Sequence, residues 1–558
     1  MARLSSKLAH LPRQPGVYVM KNAQGDIVYI GKAAVLADRV RSYFQKGADL
    51  SPKIRALVAQ VADLETIITK SELEALILES NLIKRHRPRF NVVLRDDKQY
   101  PYLRLPIQDA FPRLSIVRRV QPDKALYFGP YVPTGAMRET LKVIRKVFPL
   151  ATCNIEIDGS ADRACLEFEI KRCMAPCTGN QSREAYQHIV QQVRWFLEGR
   201  DQELLASLRD EMNRFAACEE FEEAARLRDR ILKIERTLET QRVAQVGPVD
   251  QDVVGLARAG TAADVQWLFI RGGLLIGRRD FFWPDAGEIT DEELVRSTLE
   301  QFYSKAVLPP KEVLLPVGVE DQVLIQQWLR DKKGEPVKIL VPERGAKYHL
   351  RQLAQENAAV SLNEHLRLET ESREAVTELR TLLGLSAIPS RVECFDISNT
   401  MGAQSVASMV VWEHGRMKKG DYRRFKIKTV DGANDFASMH EVVKRRYGGT
   451  LANKAGKVLP TPDVIIIDGG MGQLGAAMDA LAQVGLSQVA ICGLAKAKGE
   501  KDERIFLPGQ KFPIVLPVKS PATRLVQTIR DEAHRFAITY HRKLRHEALI
   551  PVKTTRSS

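Results

Sequence analysis

Residues 16–32 read GVYVMKNAQGDIVYIGK, and they predict two β-strands joined by a tight turn. The runs 16–19 and 27–30 are rich in β-branched and aromatic residues, and the segment 22–26 between them has the Asn, Gly and Asp residues typical of a hairpin. A helix is predicted over about 71–84 from its apolar spacing. Residues 1–95 are therefore expected to form a small α/β domain.

Glu79 lies inside this predicted helix, in the apolar segment ALILESNLI. On a helix, Leu76, Leu82 and Ile83 fall three or four positions away, so the carboxylate points along the apolar face. A carboxylate in such surroundings is paired, protonated or bound to a cation. An inward ion pair with a nearby arginine and a metal-binding role both remain open from the helix alone.

The charge of the whole chain points to a polyanionic partner. The 558 residues include 84 Lys and Arg against 69 Asp and Glu, a formal net charge of +15, and excess positive charge of this size favours nucleic acid. This length predicts roughly three to four domains of about 150 residues and excludes a lone small module. No signal peptide or membrane span is predicted, so we expect a soluble, intracellular protein.

Four of the seven cysteines crowd into a short segment with the spacing C-x11-C-x7-C-x3-C. This spacing lacks the C-x-x-C pair common in structural zinc sites. In a reducing compartment such a cluster indicates a metal site rather than disulfides. Four thiolates suit Zn²⁺ or a [4Fe–4S] cluster equally by count, and buried free thiols are the alternative. The four residues are Cys153, Cys165, Cys173 and Cys177.

Residues 196–241 are dense in Glu, Arg, Leu and Ala and contain no proline. Their apolar residues recur at helical spacing, which predicts two helices packed as a hairpin. The segment 221–231 within it reads FEEAARLRDRI. Its alternating acids and arginines usually form a solvated helix face, and an interaction element is the alternative.

Residues 250–372 and 392–500 show the same order of predicted elements. In each region three strands are followed by a helix, a strand, a second helix and a final strand, as indicated by alternating apolar runs and helical patterns. We therefore predict two copies of one βββαβαβ unit. Only the second copy is expected to end its strands on acids suited to metal binding.

Those acids are Asp396, which follows VECF, and Asp468, which follows VIII. The second run is typical of a buried central strand, and the carboxyl ends of such strands are where α/β sheets place their sites. For Asp468 alone, a helix N-cap is the alternative. His534 lies in a helix predicted over about 523–545, where a lone histidine is more often a surface or core residue.

Several of these motifs occur together in known nuclease modules. Gly16-Val17-Tyr18, Val28-Tyr29-Ile30-Gly31-Lys32 and the residues that follow them in order resemble the GIY-YIG nuclease module. This resemblance implies a divalent metal on Glu79, Tyr29 as general base near Lys32, and Arg39 on the scissile phosphate. The implied catalytic set is Tyr18, Tyr29, Lys32, Arg39, Tyr43, Glu79 and Asn91.

Two further motifs resemble parts of repair nucleases. The segment 221–231 resembles the UVR motif, which implies docking to a matching helix pair on a helicase-like partner protein through Phe221, Glu222, Ala225, Arg228 and Asp229. The C-terminal acids and histidine resemble the Asp-Asp-His metal set of RNase H-like nucleases. This set is Asp396, Asp468 and His534, with Asp435 as a further acid. Mg²⁺ or Mn²⁺ is implied in both centres.

In this order the motifs resemble the UvrABC system protein C family, the nucleases of the excinuclease ABC system, across nearly the whole chain. The resemblance implies a cytoplasmic, bacterial endonuclease of nucleotide excision repair, without membrane contact. After UvrA and the helicase-like partner, UvrB, locate a lesion in double-stranded DNA, such a protein nicks the damaged strand twice. The resemblance further implies a 3′ cut by the N-terminal module and a 5′ cut by the C-terminal module, and it favours [4Fe–4S] over Zn²⁺ for the cysteines.

The implied architecture is a multidomain α/β protein. Its predicted domains are a GIY-YIG nuclease domain (1–95), a four-cysteine metal region (96–195), a UVR helical hairpin (196–241), an α/β region that is a degenerate RNase H-like copy (245–372), and an RNase H-like endonuclease domain (373–558). Family members usually continue into tandem helix-hairpin-helix elements, and the glycine-rich hairpins typical of these do not follow the His534 helix before Ser558.

Two other classes of function compete with an endonuclease. A non-cutting adaptor that binds UvrB and DNA does not need the candidate catalytic residues, and their retention argues against it. An iron–sulfur oxidoreductase would use 470–475, GMGQLG, which matches the dinucleotide fingerprint G-x-G-x-x-G. No acid follows about 20 residues later to hold a ribose, and the charge of +15 also counts against an oxidoreductase. The favoured function is a metal-dependent DNA endonuclease with two centres, as the resemblance implies.

Overall fold

The computed structural model describes residues 2–9, 11–45, 51–94, 100–132, 134–179, 181–241, 249–305, 307–400, 403–428, 434–449, 459–496, 503–517 and 520–549. The chain divides into two compact units, Met1–Asn363 and Glu364–Ser558. The end of the chain, where no glycine-rich hairpin was found, includes residues 550–558, which lie outside these ranges. No helix in the described ranges is both long enough and apolar enough to cross a membrane.

The N-terminal part of the first unit is a three-stranded antiparallel sheet with helices packed on it. Its elements are α1 (Ala2–Ala9), β1 (Gly16–Lys21), β2 (Ile27–Ala33), α2 (Leu36–Ser42), α3 (Pro52–Gln60), β3 (Asp63–Ile68) and α4 (Glu72–His86). The strand order is β2-β1-β3. The predicted hairpin is confirmed, and the Asn22 side chain closes its turn by accepting the backbone N–H groups of Gln24 and Asp26. Ser71 caps α4 by accepting the N–H of Glu74.

Residues 100–241 form a second small sheet followed by a layer of helices. The elements are β4 (Tyr102–Leu105), β5 (Ser115–Val117), β6 (Leu126–Phe128), α5 (Thr134–Val147), α6 (Leu166–Glu169), α7 (Arg183–Glu198), α8 (Asp201–Ala217) and α9 (Phe221–Gln241). The strand order is β5-β4-β6. The helical hairpin predicted over 196–241 is confirmed as α8 and α9, which bury Leu204 and Leu227 in one core with α5 and α7.

The remainder of the first unit is a five-stranded mixed sheet. It contains β7 (Gln251–Ala259), β8 (Ala262–Arg271), β9 (Leu274–Trp283), α10 (Asp291–Tyr303), β10 (Glu312–Leu314), α11 (Gln322–Lys333) and β11 (Lys338–Leu340). The order is β11-β10-β7-β8-β9. Its core packs Trp267 against Phe302 of α10 with ring centroids 4.3 Å apart, and this contact fixes α10 on the sheet. The long helix α12 (Gly345–Leu383) follows.

The second unit is built on a larger mixed sheet. Its elements are β12 (Arg391–Thr400), β13 (Ala403–Glu413), β14 (Arg416–Met417), β15 (Arg423–Lys426), α13 (Asp435–Tyr447), β16 (Val464–Asp468), α14 (Met471–Gln483), β17 (Ala490–Lys496), β18 (Glu503–Phe506), β19 (Ile514–Leu516) and α15 (Pro521–Leu549). The order is β14-β13-β12-β16-β17-β18-β19, and β15 pairs with β13. The central strand β16 is fully buried from Val464 to Ile467, as its unbroken apolar run predicts.

The two larger sheets share the βββαβαβ order predicted from the sequence. The path β11-β10-β7-β8-β9 in the first corresponds to β17-β16-β12-β13-β15 in the second. They differ where the parallel strands end. The residues after the last β12–β16 pair are Asp396 and Asp468, whereas those after the last β7–β10 pair are Val254 and Leu315. Of the residues that directly follow these parallel pairs, only those of the second copy are carboxylates.

Candidate active sites

Three tyrosines meet on one face of the N-terminal sheet. Tyr18 on β1, Tyr29 on β2 and Tyr43 after α2 have ring centroids 5.9 to 6.4 Å apart. The hydroxyls of Tyr18 and Tyr43 are 2.8 Å apart and share a hydrogen bond. Burial and the neighbouring phenols raise the pKa of Tyr18 and of Tyr29 well above the ordinary tyrosine value. Both are therefore neutral phenols in this arrangement.

The Tyr18 side chain packs directly against Gly31, where a larger residue would not fit. A Cβ atom added at Gly31 would lie 2.3 Å from the Tyr18 hydroxyl, well inside van der Waals contact. On the same strand, the Asn91 side chain accepts the N–H of Ile30 and donates to its carbonyl, both at 2.8 Å. This double hydrogen bond fixes the strand between Tyr29 and Gly31. Asn91 thus holds the strand in register with the tyrosines.

Glu79 projects from α4 into the same site, as predicted, and its side chain is only 3% exposed. One carboxylate oxygen accepts the backbone N–H of Lys32 at 3.1 Å. The other, Oε2, is buried and accepts no hydrogen bond from any described residue. Burial raises the pKa of Glu79, while Arg296 and Lys32 lower it. A buried carboxylate oxygen with an open lone pair fits a divalent cation.

The two cations of the predicted set differ in exposure. Lys32 is buried, and its ammonium pairs with Asp321 at 2.7 Å and with Glu72 at 3.2 Å. Arg39 is exposed on α2, with its guanidinium 5.7 Å from the Tyr43 ring centroid. Arg39 is therefore the cation that solvent, and hence a phosphate, reaches.

A cleft of about 250 Å³ above these residues has α10 as its opposite wall. The Arg296 guanidinium lies 3.9 Å from the Glu79 carboxylate and 3.5 Å from Glu300 one turn further on. Burial raises the pKa of Glu300 to about 8. Neither Arg296 nor Asp321 was predicted from the sequence as part of this site. The available signal was an Arg–Glu pair at helical spacing, and such pairs are usually solvated.

In the second unit, Asp396, Asp468 and His534 come together at the edge of the sheet. One ligand atom from each lies within 4.8 Å of the other two, and Nδ1 of His534 is 3.4 Å from the Asp396 carboxylate. The helix α15 that carries the histidine is tied to β13, because Ser408 Oγ donates to the carbonyl of Ala533 at 2.9 Å. The structure thus assembles the three residues from three separate elements.

Burial and neighbouring charges shift the pKa values of two acidic groups in this second site. Burial and the charge of Asp396 raise the pKa of Asp468 to about 7, while Arg530 and His534 lower it. Burial and the same two carboxylates raise the pKa of Cys394 well above its ordinary value. Two carboxylates and an imidazole form a donor set that suits a divalent cation, and positive charge here relieves the repulsion between the acids.

Asp435, predicted as a further acid of this site, lies at the start of a helix. It is the first residue of α13, where Asn434 caps the helix by accepting the N–H of Ala437. It is not among the three residues whose ligand atoms gather within 4.8 Å. A helix N-terminus favours an acid on electrostatic grounds alone, which accounts for an Asp at this position.

The four cysteines of the predicted cluster are neighbours in space. Burial raises the pKa of the Cys173 thiol, and the thiols of Cys153, Cys165 and Cys177 lie close enough to raise it further. Cys173 and Cys177 are buried, whereas Cys165 is exposed. Among the described residues, no three of these sulfurs lie within 4.8 Å of one another.

The helix α9 has one buried face and one open face. Ala224, Leu227 and Ile231 are buried, while Phe221 is 67% exposed. The remaining residues predicted to bind a partner share its side of the helix or flank it; Glu222, Arg228 and Asp229 are exposed and Ala225 is partly buried. The residues predicted to bind a partner are therefore largely accessible on one side of α9.

A tyrosine-rich site beside a buried glutamate and a two-acid site at the edge of an RNase H-like sheet define a metal-dependent nuclease with two centres. Five family models match segments between residues 14 and 538: a UvrC-like GIY-YIG domain at 14–92, a UvrC/Cho excinuclease middle domain at 100–196, a UvrB/uvrC motif at 202–237, a UvrC Ribonuclease H-like domain at 250–365 and a UvrC RNAse H endonuclease domain at 380–538.

Curated relatives identify the family. The chain is 45% identical over 548 residues to the UvrABC system protein C of Moorella thermoacetica, covering 98% of this chain and 88% of that relative. It is 44% identical over 550 residues to that of Geobacter metallireducens, covering 97% and 88%. The chain therefore belongs to the UvrABC system protein C family. It is a metal-dependent endonuclease that makes incisions in nucleotide excision repair, and it binds DNA and UvrB.

Among solved structures, the chain is similar to the GIY-YIG N-terminal endonuclease domain of UvrC from Thermotoga maritima, which is bound to magnesium. The sequences are 43% identical, the match covers 16% of this chain and 94% of that chain, and the TM-score is 0.15.

Proposed function

We propose that the N-terminal site makes the cut on the 3′ side of a lesion. Glu79 would hold one divalent cation, Mg²⁺ or Mn²⁺, and the observation that carries this is its buried, unpaired Oε2. A bound cation supplies positive charge to the phosphate and to the neighbouring phenol. Tyr29 would act as general base and exposed Arg39 would bind the scissile phosphate. Tyr18, Tyr43, Lys32 and Asn91 would position them.

The C-terminal site would make the cut on the 5′ side. Asp396, Asp468 and His534 would hold one or two Mg²⁺ or Mn²⁺ ions, since their ligand atoms already lie within 4.8 Å of one another. Such ions polarise the phosphate and favour deprotonation of water. The pKa of Asp468, raised to about 7 by burial and Asp396, means that this residue must release a proton before it serves as a ligand near neutral pH.

The cysteine cluster would hold a [4Fe–4S] centre, with Zn²⁺ as the alternative. The thiols of Cys153, Cys165 and Cys177 lie close enough to raise the pKa of Cys173, which supports a centre held by four sulfurs. Both kinds of centre take four thiolates, and the preference for [4Fe–4S] rests on the family resemblance. Zinc and iron analysis of the purified protein, with its visible spectrum, distinguishes the two.

The partner surface on α9 would bind UvrB through Phe221, Glu222, Ala225, Arg228 and Asp229. The substrate would be double-stranded DNA containing a lesion, which UvrA helps to locate before UvrB recruits this chain. A bacterial cytoplasmic location fits that pathway. The exposed ring of Phe221 at the helix start supports the contact.

Incision of a lesion-containing duplex labelled at either end, with UvrA, UvrB and Mg²⁺, tests this proposal. Glu79→Ala should abolish the 3′ cut alone, and Asp468→Ala should abolish the 5′ cut alone. Exposed acids on nearby helices provide matched controls, Glu74→Gln on α4 and Asp479→Asn on α14, and both should retain two cuts. A pre-nicked duplex separates loss of one centre from an obligatory order of cutting.

A non-cutting adaptor would give a different result in this assay. The unaltered chain would then bind UvrB and DNA but leave both labelled strands intact at every Mg²⁺ and Mn²⁺ concentration. That outcome would replace the nuclease proposal. Loss of both cuts in each single variant, even on pre-nicked DNA, would contradict the assignment of two independent centres.

A further inference from the structure

A basic cleft of about 550 Å³ lies on the helix α5, outside both candidate active sites. Five cations line it, and they come from two segments that are separate in sequence. They are Arg138, Lys142, Arg145 and Lys146 of α5 and Arg172 of the cysteine region. All five are exposed. None of them belongs to the residues assigned above to cutting, to metal binding or to UvrB.

The four cations of α5 share one face because they stand at helical spacing. Positions 138, 142, 145 and 146 follow the i, i+4, i+7, i+8 pattern. The opposite face of α5 is apolar and buried, through Met137, Ile144 and Val147. The core therefore fixes the helix and directs its basic face to solvent.

No acid of the described chain neutralises these cations. Some other arginines of the same unit are paired, for example Arg194 with Glu198 at 2.7 Å and Arg200 with Glu203 at 2.8 Å. No ion pair of the described residues involves any of the five. Like charges gathered without counter-charges repel one another, so their grouping favours an external anion.

The floor of the cleft is apolar. Ile116 of β5 is 51% exposed there, and Leu141 lines it from α5. Cations above a small apolar surface match a DNA strand, whose phosphates carry the charge and whose deoxyribose rings present carbon. Contacts of Lys and Arg to phosphates carry no sequence information directly, so binding in this cleft would be independent of base sequence.

We propose that this cleft binds the phosphate backbone of DNA and anchors the protein on the duplex independently of either nuclease centre. The proposal rests on the DNA-binding function of the family but not on which centre makes which cut. The overall charge of +15 agrees with a polyanionic ligand. Acidic segments of a partner protein are the competing occupant.

Salt-dependent binding of a fluorescent duplex tests the proposal, with the full chain in EDTA so that no cut occurs. The variant Lys142→Ala/Arg145→Ala/Lys146→Ala should lower affinity at least about tenfold at about 0.1 M salt. It should also reduce the slope of log K against log salt by about 2 to 3, because each lost phosphate contact removes about 0.9 from the slope. Two duplexes of unrelated sequence should respond equally.

The matched control removes the same charge from paired residues. Arg194→Ala/Arg200→Ala/Arg209→Ala deletes three arginines that are ion-paired with Glu198, Glu203 and Glu235, and it should leave the slope within about 0.5 of the unaltered chain. The exchange Lys142→Arg/Arg145→Lys/Lys146→Arg keeps all charges and should restore binding, which excludes misfolding as the cause.

Equal slopes for the cleft variant and the control would overturn the proposal. Unchanged DNA binding together with lost binding of UvrB would overturn it in favour of a protein partner. Altered cutting patterns of Glu79→Ala or Asp468→Ala do not bear on it, so failure of the cleft and failure of the two-centre assignment are separable.

Discussion

Replacing Asp468 with asparagine should stabilise the metal-free second unit at alkaline pH while it removes the 5′ cut. The pKa of Asp468 is raised from 3.8 to about 7 by burial and by Asp396. Between these values the folded protein holds a proton that the unfolded chain has lost. The contribution of this carboxyl to the free energy of unfolding is therefore highest below pH 3.8, its pKa in the unfolded chain. The contribution falls as the pH rises and is constant above about pH 7, its pKa in the folded protein.

The size of the effect follows from the shift. One pKa unit corresponds to about 1.4 kcal/mol, so ionising this carboxyl costs on the order of 4 kcal/mol above about pH 7. About 3 kcal/mol of that cost develops between about pH 5 and pH 8, and partial exposure to solvent reduces it to about 2 to 3 kcal/mol. Asparagine keeps the shape of the side chain and carries no charge, so it removes this dependence.

Urea unfolding in EDTA at about pH 5 and pH 8 measures the difference. Samples are pulse-labelled with deuterium, and peptides covering β12 and β16 report unfolding of the second unit. The Asp468→Asn variant should have a higher free energy of unfolding than the unaltered chain. This difference should be about 2 to 3 kcal/mol larger at pH 8 than at pH 5. Mg²⁺ should stabilise the unaltered chain at pH 8 more than the variant. The exposed control Asp479→Asn should show no pH-dependent gain, and an equal gain for Asp468→Asn at both pH values would refute the reasoning.

Three further substitutions give distinct outcomes. Arg296→Ala should raise the Mg²⁺ affinity of the N-terminal site about tenfold, since it removes a cation 3.9 Å from the Glu79 carboxylate; an unchanged Mg²⁺ titration of the 3′ cut would contradict this. Gly31→Ala should slow the 3′ cut at least about tenfold and spare the 5′ cut, because its Cβ would lie 2.3 Å from the Tyr18 hydroxyl; equal slowing of both cuts would point to misfolding. Phe221→Ala should weaken binding of UvrB about tenfold in a pull-down titration without a change in thermal unfolding, since the ring is 67% exposed; unchanged UvrB binding would remove the ring from the partner surface.

Much of the fold followed from local patterns. The turn at 22–26, the helix of Glu79 and the hairpin α8–α9 are all set by residues within a few positions of one another, and each was predicted close to its observed bounds. The repeated βββαβαβ order was also readable, because each element carries its own apolar period. The acids after Phe395 and Ile467 could be placed together because parallel neighbours end at the same edge.

The parts that could not be predicted depend on contacts between distant segments. Arg296 reaches Glu79, and Asp321 reaches Lys32, only because two separately patterned regions pack against each other. Periodicity describes which face of a helix is apolar and does not describe which partner covers it. The role of Asp435 stays a prediction, since it begins α13 and is not among the three residues whose ligand atoms gather within 4.8 Å.

Val254 and Leu315, the apolar residues that follow the last β7–β10 pair, affect how sequence variation in this chain is interpreted. A copy whose parallel strands end on apolar residues is expected to tolerate change, and substitutions there would ordinarily be interpreted as effects on folding. Here α10 of that region forms a wall of the N-terminal nuclease cleft. In a saturation-mutagenesis survey of repair proficiency, positions around Arg296 should therefore cluster with Glu79 and the tyrosines rather than with the sheet on which α10 packs.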